Sequence, residues 1–161
     1  MNPQELTRIG TLAEEAAARE NVVSELLGVY VFGSTVRGTA RADSDLDIGV
    51  LFRQPCYVKD PLHCFAAAQR IGAHIGRALV KATDVLVLNG ASLELAYEVI
   101  AHGICCYAPD LDARLEREAV LRGMSFDFKP FLTQLRRRFL GRLEPQVGEP
   151  VKPFDDVPKE P

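Results

Sequence analysis

The chain has 161 residues, of which 47% are hydrophobic and 25% are charged, and its formal net charge is -3. These values are ordinary for one globular domain and exclude a fibrous or largely disordered protein. No apolar run reaches the length of a membrane span and the N-terminus does not have the pattern of a signal peptide, so we expect a cytoplasmic protein.

The first predicted elements are a helix and a strand that leads into a glycine-serine turn. Asn2 is suited to cap a helix that begins at Pro3. Residues 29–32 are β-branched or aromatic, which predicts a short buried strand with Gly33 and Ser34 at its end. We expect Ser34 to be the N-cap of a short helical turn whose unpaired N–H groups bind phosphate.

A second strand, predicted over residues 45–52, begins with two carboxylates ten residues after Ser34. The alternation of a strand sends Asp45 and Asp47 to one face, and a Mg²⁺ ion would relieve their repulsion. Ten residues are too few for a parallel crossover, so this strand should run antiparallel to the first.

A third carboxylate begins the next apolar strand, predicted over residues 81–88. Residues 60–80 have the length and apolar spacing of a crossover helix, so this strand should lie parallel to the one that carries Asp45 and Asp47. Parallel strands begin at the same edge, which places Asp84 beside the pair. Three carboxylates next to a phosphate-binding turn are what two-metal phosphoryl or nucleotidyl transfer requires.

The remaining chain is mostly helical in pattern. Ser92 and Gly103 bracket a helix, and residues 104–107 are suited to an edge strand. Helical periodicity continues over residues 111–143, with a kink or break expected over 123–130 because the segment contains a glycine and ends at a proline.

The C-terminal segment, residues 144–161, differs in composition from the rest. It holds five acids, two lysines and five of the ten prolines, and we interpret it as a disordered tail after a domain of residues 1–143. Its net charge of -3 equals that of the whole chain, so the domain is neutral and nucleic acid is not an expected partner.

Several other residues could have a structural role rather than a role in ligand binding. Arg37 and Arg41 are suited to neutralise triphosphate charge, or are simply exposed loop residues. The basic stretch Arg136-Arg137-Arg138 favours a solvated helix face, with a docking face as the alternative. The four cysteines have no zinc spacing and are interpreted as buried free thiols. The histidines show no spacing for a metal or relay and are interpreted as surface or helix-end residues: His63, His74 and His102.

The string Gly33-Ser34, ten residues, Asp45-Leu46-Asp47 and then Asp84 resembles the minimal nucleotidyltransferase family of the polymerase-β superfamily. Within it, the chain is similar to MntA-type antitoxins of HEPN-MNT toxin–antitoxin systems, over roughly residues 28–143. The resemblance implies an α/β (α+β) fold, a small mixed sheet flanked by helices. We expect the turn to hold the phosphates of ATP and the three aspartates to hold two Mg²⁺ ions.

The resemblance also implies the acceptor, which the residues alone do not identify. It implies that AMP passes from ATP to a tyrosine of a cognate HEPN ribonuclease toxin, which silences the toxin. Two alternatives stay open: transfer to a small molecule such as an aminoglycoside, and a non-catalytic antitoxin that acts by occlusion. The small-molecule enzymes usually carry an added helical domain, and the intact acids argue against occlusion alone.

Overall fold

The computed structural model of the protein describes residues 1–38 and 44–143. The strands in these ranges are β1 Leu26–Phe32, β2 Leu46–Phe52, β3 Thr83–Val87 and β4 Ile104–Tyr107. The helices are α1 Pro3–Arg19, α2 Gly33–Arg37, α3 Gln54–Lys59, α4 Pro61–Leu79, α5 Leu93–His102 and α6 Leu111–Leu143. Met1–Phe126 form one compact unit, and a second unit begins at Asp127.

The four strands form one mixed sheet in the order β3-β2-β1-β4. β1 runs antiparallel to β2 and to β4, whereas β2 and β3 are parallel. These pairings confirm the predicted antiparallel neighbours, the parallel crossover through α4 and the edge strand. The crossover sets the register, in which Asp47 lies opposite Asp84.

Helices cover both faces of the sheet in the compact unit. On one face, apolar side chains of α1 and α4 pack against inward-facing residues of β1 and β2, including Val29, Val31, Ile48 and Val50. On the other face, Leu51 and Tyr30 pack with residues of α5 and the first half of α6. Burial of both faces explains why β1 and β2 are apolar at nearly every position rather than alternating.

Caps predicted from the sequence begin three of the helices. Asn2 Oδ1 accepts a hydrogen bond from the Glu5 N–H at 2.7 Å, with a proline following at the start of α1. Asp60 and Ser92 cap α4 and α5 in the same way. Each cap satisfies a backbone donor that the first turn of a helix leaves unpaired.

Two polar contacts outside the regular strand pairing stabilise the sheet. The Asn89 side chain accepts a hydrogen bond from Phe52 N–H and donates one to Phe52 O, at 2.8 and 2.9 Å, and so extends the pairing beyond the end of β3. Tyr30 donates a hydrogen bond of 2.7 Å to buried Glu118 on α6, and burial with this bond raises the pKa of Tyr30. Both contacts join segments that are distant in sequence.

Some local predictions are wrong. Ser34 is not an N-cap: α2 begins at Gly33, two residues earlier than predicted, and its N-cap is Phe32, with no side-chain cap. The expected break is also wrong, since α6 continues through Pro130; one proline removes a single helical hydrogen bond, and the flanking turns keep theirs. A kink over residues 123–130 stays a prediction. The helix α3 was not predicted.

Other sequence-based expectations concern cysteines, membranes and undescribed segments. All four cysteines are free, but only Cys64 is fully buried. Within residues 1–38 and 44–143, no helix is long and apolar enough to cross a membrane. Arg41 and the proposed tail, residues 144–161, lie outside the described residues.

Candidate active site

The glycine-serine turn packs directly against a carboxylate of the next strand. Gly33 has a φ of +72°, a conformation that residues with a Cβ rarely adopt. A Cβ at this position would lie 1.9 Å from Asp47 Oδ2. The backbone N–H of Ser34 donates a hydrogen bond to the same carboxylate. Glycine is therefore required here both by its backbone conformation and by the closeness of Asp47.

The sheet register brings the predicted acids to one edge. Asp47, near the start of β2, lies opposite Phe32 at the end of β1 and opposite Asp84 at the start of β3. Residues paired across strands project to the same face, so Asp47 and Asp84 are on one side of the sheet. Asp45 directly precedes β2 and is exposed, as is Asp84, whereas Asp47 is half-buried.

The surroundings of Asp47 oppose the ionisation of its carboxyl group. Its pKa is raised, first by burial, then by the charge of Asp84, and to a lesser degree by that of Asp45. The Ser34 N–H and the positive charge of Arg37 act in the opposite direction. A bound cation would offset the cost of holding these negative charges together.

The donor set fits a hard cation such as Mg²⁺, because carboxylate oxygens are the ligands that this ion prefers. In the described part of the chain, no three His, Cys, Asp or Glu side chains converge closely enough to hold a metal ion. The register thus brings the aspartates to a common edge without arranging all three side chains as a ligand set. The assignment of Asp45, Asp47 and Asp84 as metal ligands stays a prediction.

A cavity of about 260 Å³ opens beside Asp47. One part of its lining comes from the end of β1, α2 and β2, and another from α5 and the residue that follows it. The lining residues are Phe32, Gly33, Arg37, Asp47, Leu95, Glu98, His102 and Gly103. One side of the cavity is therefore formed by the predicted phosphate-binding turn and by Asp47, a predicted metal ligand. The other side is formed by α5, for which no ligand contact was predicted from the sequence.

Three of the predicted site residues thus meet at one cavity: Gly33, Arg37 and Asp47. Asp45 and Asp84 are not among its lining residues. His102, interpreted from the sequence as a helix-end residue, lies in the wall together with Glu98. Leu95, Glu98 and His102 have the i, i+3, i+7 spacing of one helix face, but this pattern does not reveal that the face borders the aspartates.

The family model described as Polymerase beta, Nucleotidyltransferase matches residues 15–112, more than half of the chain. A crystal structure of a toxin–antitoxin with AMP-PNP is 18% identical, with a TM-score of 0.51, and the match covers 79% of this chain and 98% of that chain. A crystal structure of the toxin–antitoxin MntA-HepT is 17% identical, also with a TM-score of 0.51, covering 83% of this chain and 97% of that chain. These likenesses show a shared fold. No curated protein sequence matches the chain significantly.

Proposed function

Because the chain belongs to the polymerase-β nucleotidyltransferase family, we propose that it transfers AMP from ATP to a hydroxyl group. The acceptor in this proposal is a tyrosine of a cognate HEPN ribonuclease toxin, for which the protein is the antitoxin. The observation that carries the proposal is the register of three strands, which brings Gly33 and Ser34 beside Asp47 and Asp84 at one edge of the sheet.

The similar solved structures support the substrate and the partner. One of them contains AMP-PNP, an analogue of ATP, and another is the pair MntA-HepT. Both match over nearly their whole length, so the likeness extends over the complete fold of those chains. A small domain that works on a protein acceptor needs no large substrate domain of its own, because the partner supplies part of the site.

The chain's own residues have distinct tasks in this reaction. The turn at Gly33 and Ser34 holds the β- and γ-phosphates, and Arg37, whose charge already acts on Asp47, adds positive charge beside them. Asp45 and Asp47 would hold one Mg²⁺ ion, and Asp84 would hold a second together with this pair. Bound Mg²⁺ supplies charge neutralisation of the phosphates and a lower pKa for the acceptor hydroxyl.

The positions of these residues also suit attack by the acceptor oxygen from one side of the site. The acceptor oxygen forms a bond to the α-phosphorus as the bond to the β-phosphate oxygen breaks, and pyrophosphate leaves with that electron pair. The turn at Gly33 retains the leaving group, and Asp84 lies on the opposite side of Asp47 because β2 separates β3 from β1. The geometry suits attack from the β3 side.

The test is incubation of the protein with Mg²⁺, each nucleoside triphosphate in turn and the toxin encoded beside it, followed by intact-mass measurement of the toxin. We expect AMP-sized increments with ATP, and their loss in Asp47→Asn and Asp84→Asn. Asp112→Asn, at an exposed carboxylate in the first turn of α6, is the matched control and should transfer normally. A tight complex that blocks RNA cleavage without any mass increment would instead establish occlusion.

A further inference from the structure

One face of α5 lines the cavity beside Asp47 and has no role in the transfer described above. Leu95, Glu98 and His102 follow one another at spacings of three and four residues, which places them on one face of the helix. Glu98 Oε2 and His102 Nε2 are 3.7 Å apart, and their side chains are 56% and 67% exposed. Another face of α5 is buried in the core through Ala96, Val99 and Ile100.

The two walls of the cavity differ in the ligand group that each is suited to contact. The wall formed by Gly33, Arg37 and Asp47 presents a tight backbone turn, a positive charge and a carboxylate that would hold Mg²⁺, which together suit phosphates. The α5 wall presents an apolar side chain, a carboxylate and an imidazole, and none of its residues is a predicted metal ligand. A carboxylate repels phosphate but accepts hydrogen bonds from hydroxyl and amino groups. The α5 wall therefore suits an uncharged part of a ligand that has apolar surface and several donors.

The extent of the cavity indicates which part of the ligand meets the α5 wall. Gly33 and Arg37, the residues proposed to hold the phosphates, line the same cavity as Leu95 and Glu98. In a nucleoside triphosphate, the uncharged part with apolar surface and several hydrogen-bond donors is the nucleoside. A nucleotide whose phosphates lie at the turn therefore has its nucleoside left to occupy the α5 side of the cavity.

We propose that the cavity seats the nucleoside of ATP, with Leu95 against the adenine ring and Glu98 accepting hydrogen bonds from its donors. On adenosine these donors are the ribose hydroxyls and the exocyclic amino group. This assignment rests on the proposed function and adds to it the residues that distinguish a nucleoside triphosphate from bare phosphates.

The experiment compares binding of Mg²⁺-AMP-PNP with binding of Mg²⁺-tripolyphosphate, by calorimetry, in the full chain. Leu95→Ala and Glu98→Gln should each weaken AMP-PNP about tenfold, the effect of one lost charge-assisted hydrogen bond or apolar contact, and leave tripolyphosphate unchanged. The matched control is Glu116→Gln, at an exposed carboxylate on α6, which should bind both ligands as the wild type does. Because Leu95 and Glu98 are exposed, these substitutions should not impair folding.

Steady-state kinetics of AMP transfer then separate nucleotide from acceptor. We expect KM for ATP to rise in Glu98→Gln while KM for the toxin is unchanged, and the penalty to shrink with 2′-deoxyATP or inosine triphosphate, whichever lacks the donor that Glu98 contacts. A rise in KM for the toxin alone would make the cavity an acceptor site and overturn the assignment. Equal weakening of tripolyphosphate, or no change in AMP-PNP binding, would also overturn it.

The two proposals fail in different ways in these measurements. If the wild type binds AMP-PNP and transfers AMP while the α5 variants are unaffected, only the nucleoside assignment is wrong. If the wild type binds no AMP-PNP in the presence of Mg²⁺, the proposed function is wrong and the nucleoside assignment falls with it.

Discussion

Replacement of Gly33 by alanine should damage the site by two separable effects. The first is backbone strain, because φ at Gly33 is +72°. The second is a steric clash, because the new Cβ would lie 1.9 Å from Asp47 Oδ2 and 2.7 Å from its Cγ. Both distances are far below van der Waals contact, so the carboxylate has to move and its hydrogen bond from the Ser34 N–H is strained or lost.

Gly38 offers a control for the first effect alone. Its φ is +73°, nearly the same as that of Gly33, but among residues 1–38 and 44–143, apart from its own chain neighbours, no atom lies within 4 Å of the position that its Cβ would take. Gly38→Ala should therefore lower the free energy of unfolding by about 1–2 kcal/mol from the left-handed backbone alone. In a chain of this size, that loss lowers Tm by about 2–8 °C.

Gly33→Ala should lose more stability than Gly38→Ala and should also lose activity. A displacement of about 1 Å at a reacting group costs on the order of 100-fold in rate. We expect a loss of this order for AMP transfer in Gly33→Ala, and a rate near that of the wild type for Gly38→Ala below its Tm. Differential scanning calorimetry measures the first quantity, and intact-mass kinetics measure the second. If the two variants lose equal activity, contact between the turn and Asp47 is not what shapes this site.

Three further predictions concern the carboxylates and their supports. The raised pKa of Asp47 means that its ionisation opposes folding: the penalty is absent well below pH 4 and sets in as pH rises from the ordinary carboxyl range to the raised pKa. In EDTA at pH 7, Asp47→Asn should therefore raise Tm, with a smaller gain in an Asp84→Asn background; an unchanged or lower Tm would contradict this. With Mg²⁺ present, the same substitution should abolish transfer. Tyr30→Phe removes a buried hydrogen bond to Glu118 and should cost about 1–3 kcal/mol in urea unfolding, an effect that should nearly disappear when Glu118 is already replaced by alanine, which has no acceptor. Asn89→Ala removes hydrogen bonds to the backbone at the end of β2 and should cost a similar amount by the same measurement, with KM for ATP unchanged; a purely kinetic defect would refute that role.

The pairings of β1 with β2 and of β2 with β3 followed from short-range rules. Ten residues between Ser34 and Asp45 are too few for a crossover, so β1 and β2 had to be antiparallel. The segment before Asp84 is long enough for a crossover helix, which predicted that β3 runs parallel to β2, as it does. The family motif followed from residue types and spacing, and the match to the family model agrees with it.

Features that depend on contacts between distant segments could not be predicted from short-range rules. The prediction that Ser34 is an N-cap was wrong because α2 begins at Gly33, which has a left-handed backbone conformation and packs against Asp47. His102 carried no local signal of a site, since its place in the cavity wall depends on how α5 packs on the sheet. Burial of Glu118 likewise depends on Tyr30 from another element.

The sequence by itself determined that β1 and β2 pair antiparallel, that β2 and β3 pair parallel, and that Asp47 and Asp84 share an edge, because period, loop length and chirality restrict those choices locally. Only the tertiary structure decided which helix faces that edge and how Asp47 is held. Both depend on the packing of α5 and the turn at Gly33 against β2, and packing is a property of surfaces that meet in space rather than of residues that are neighbours in the chain.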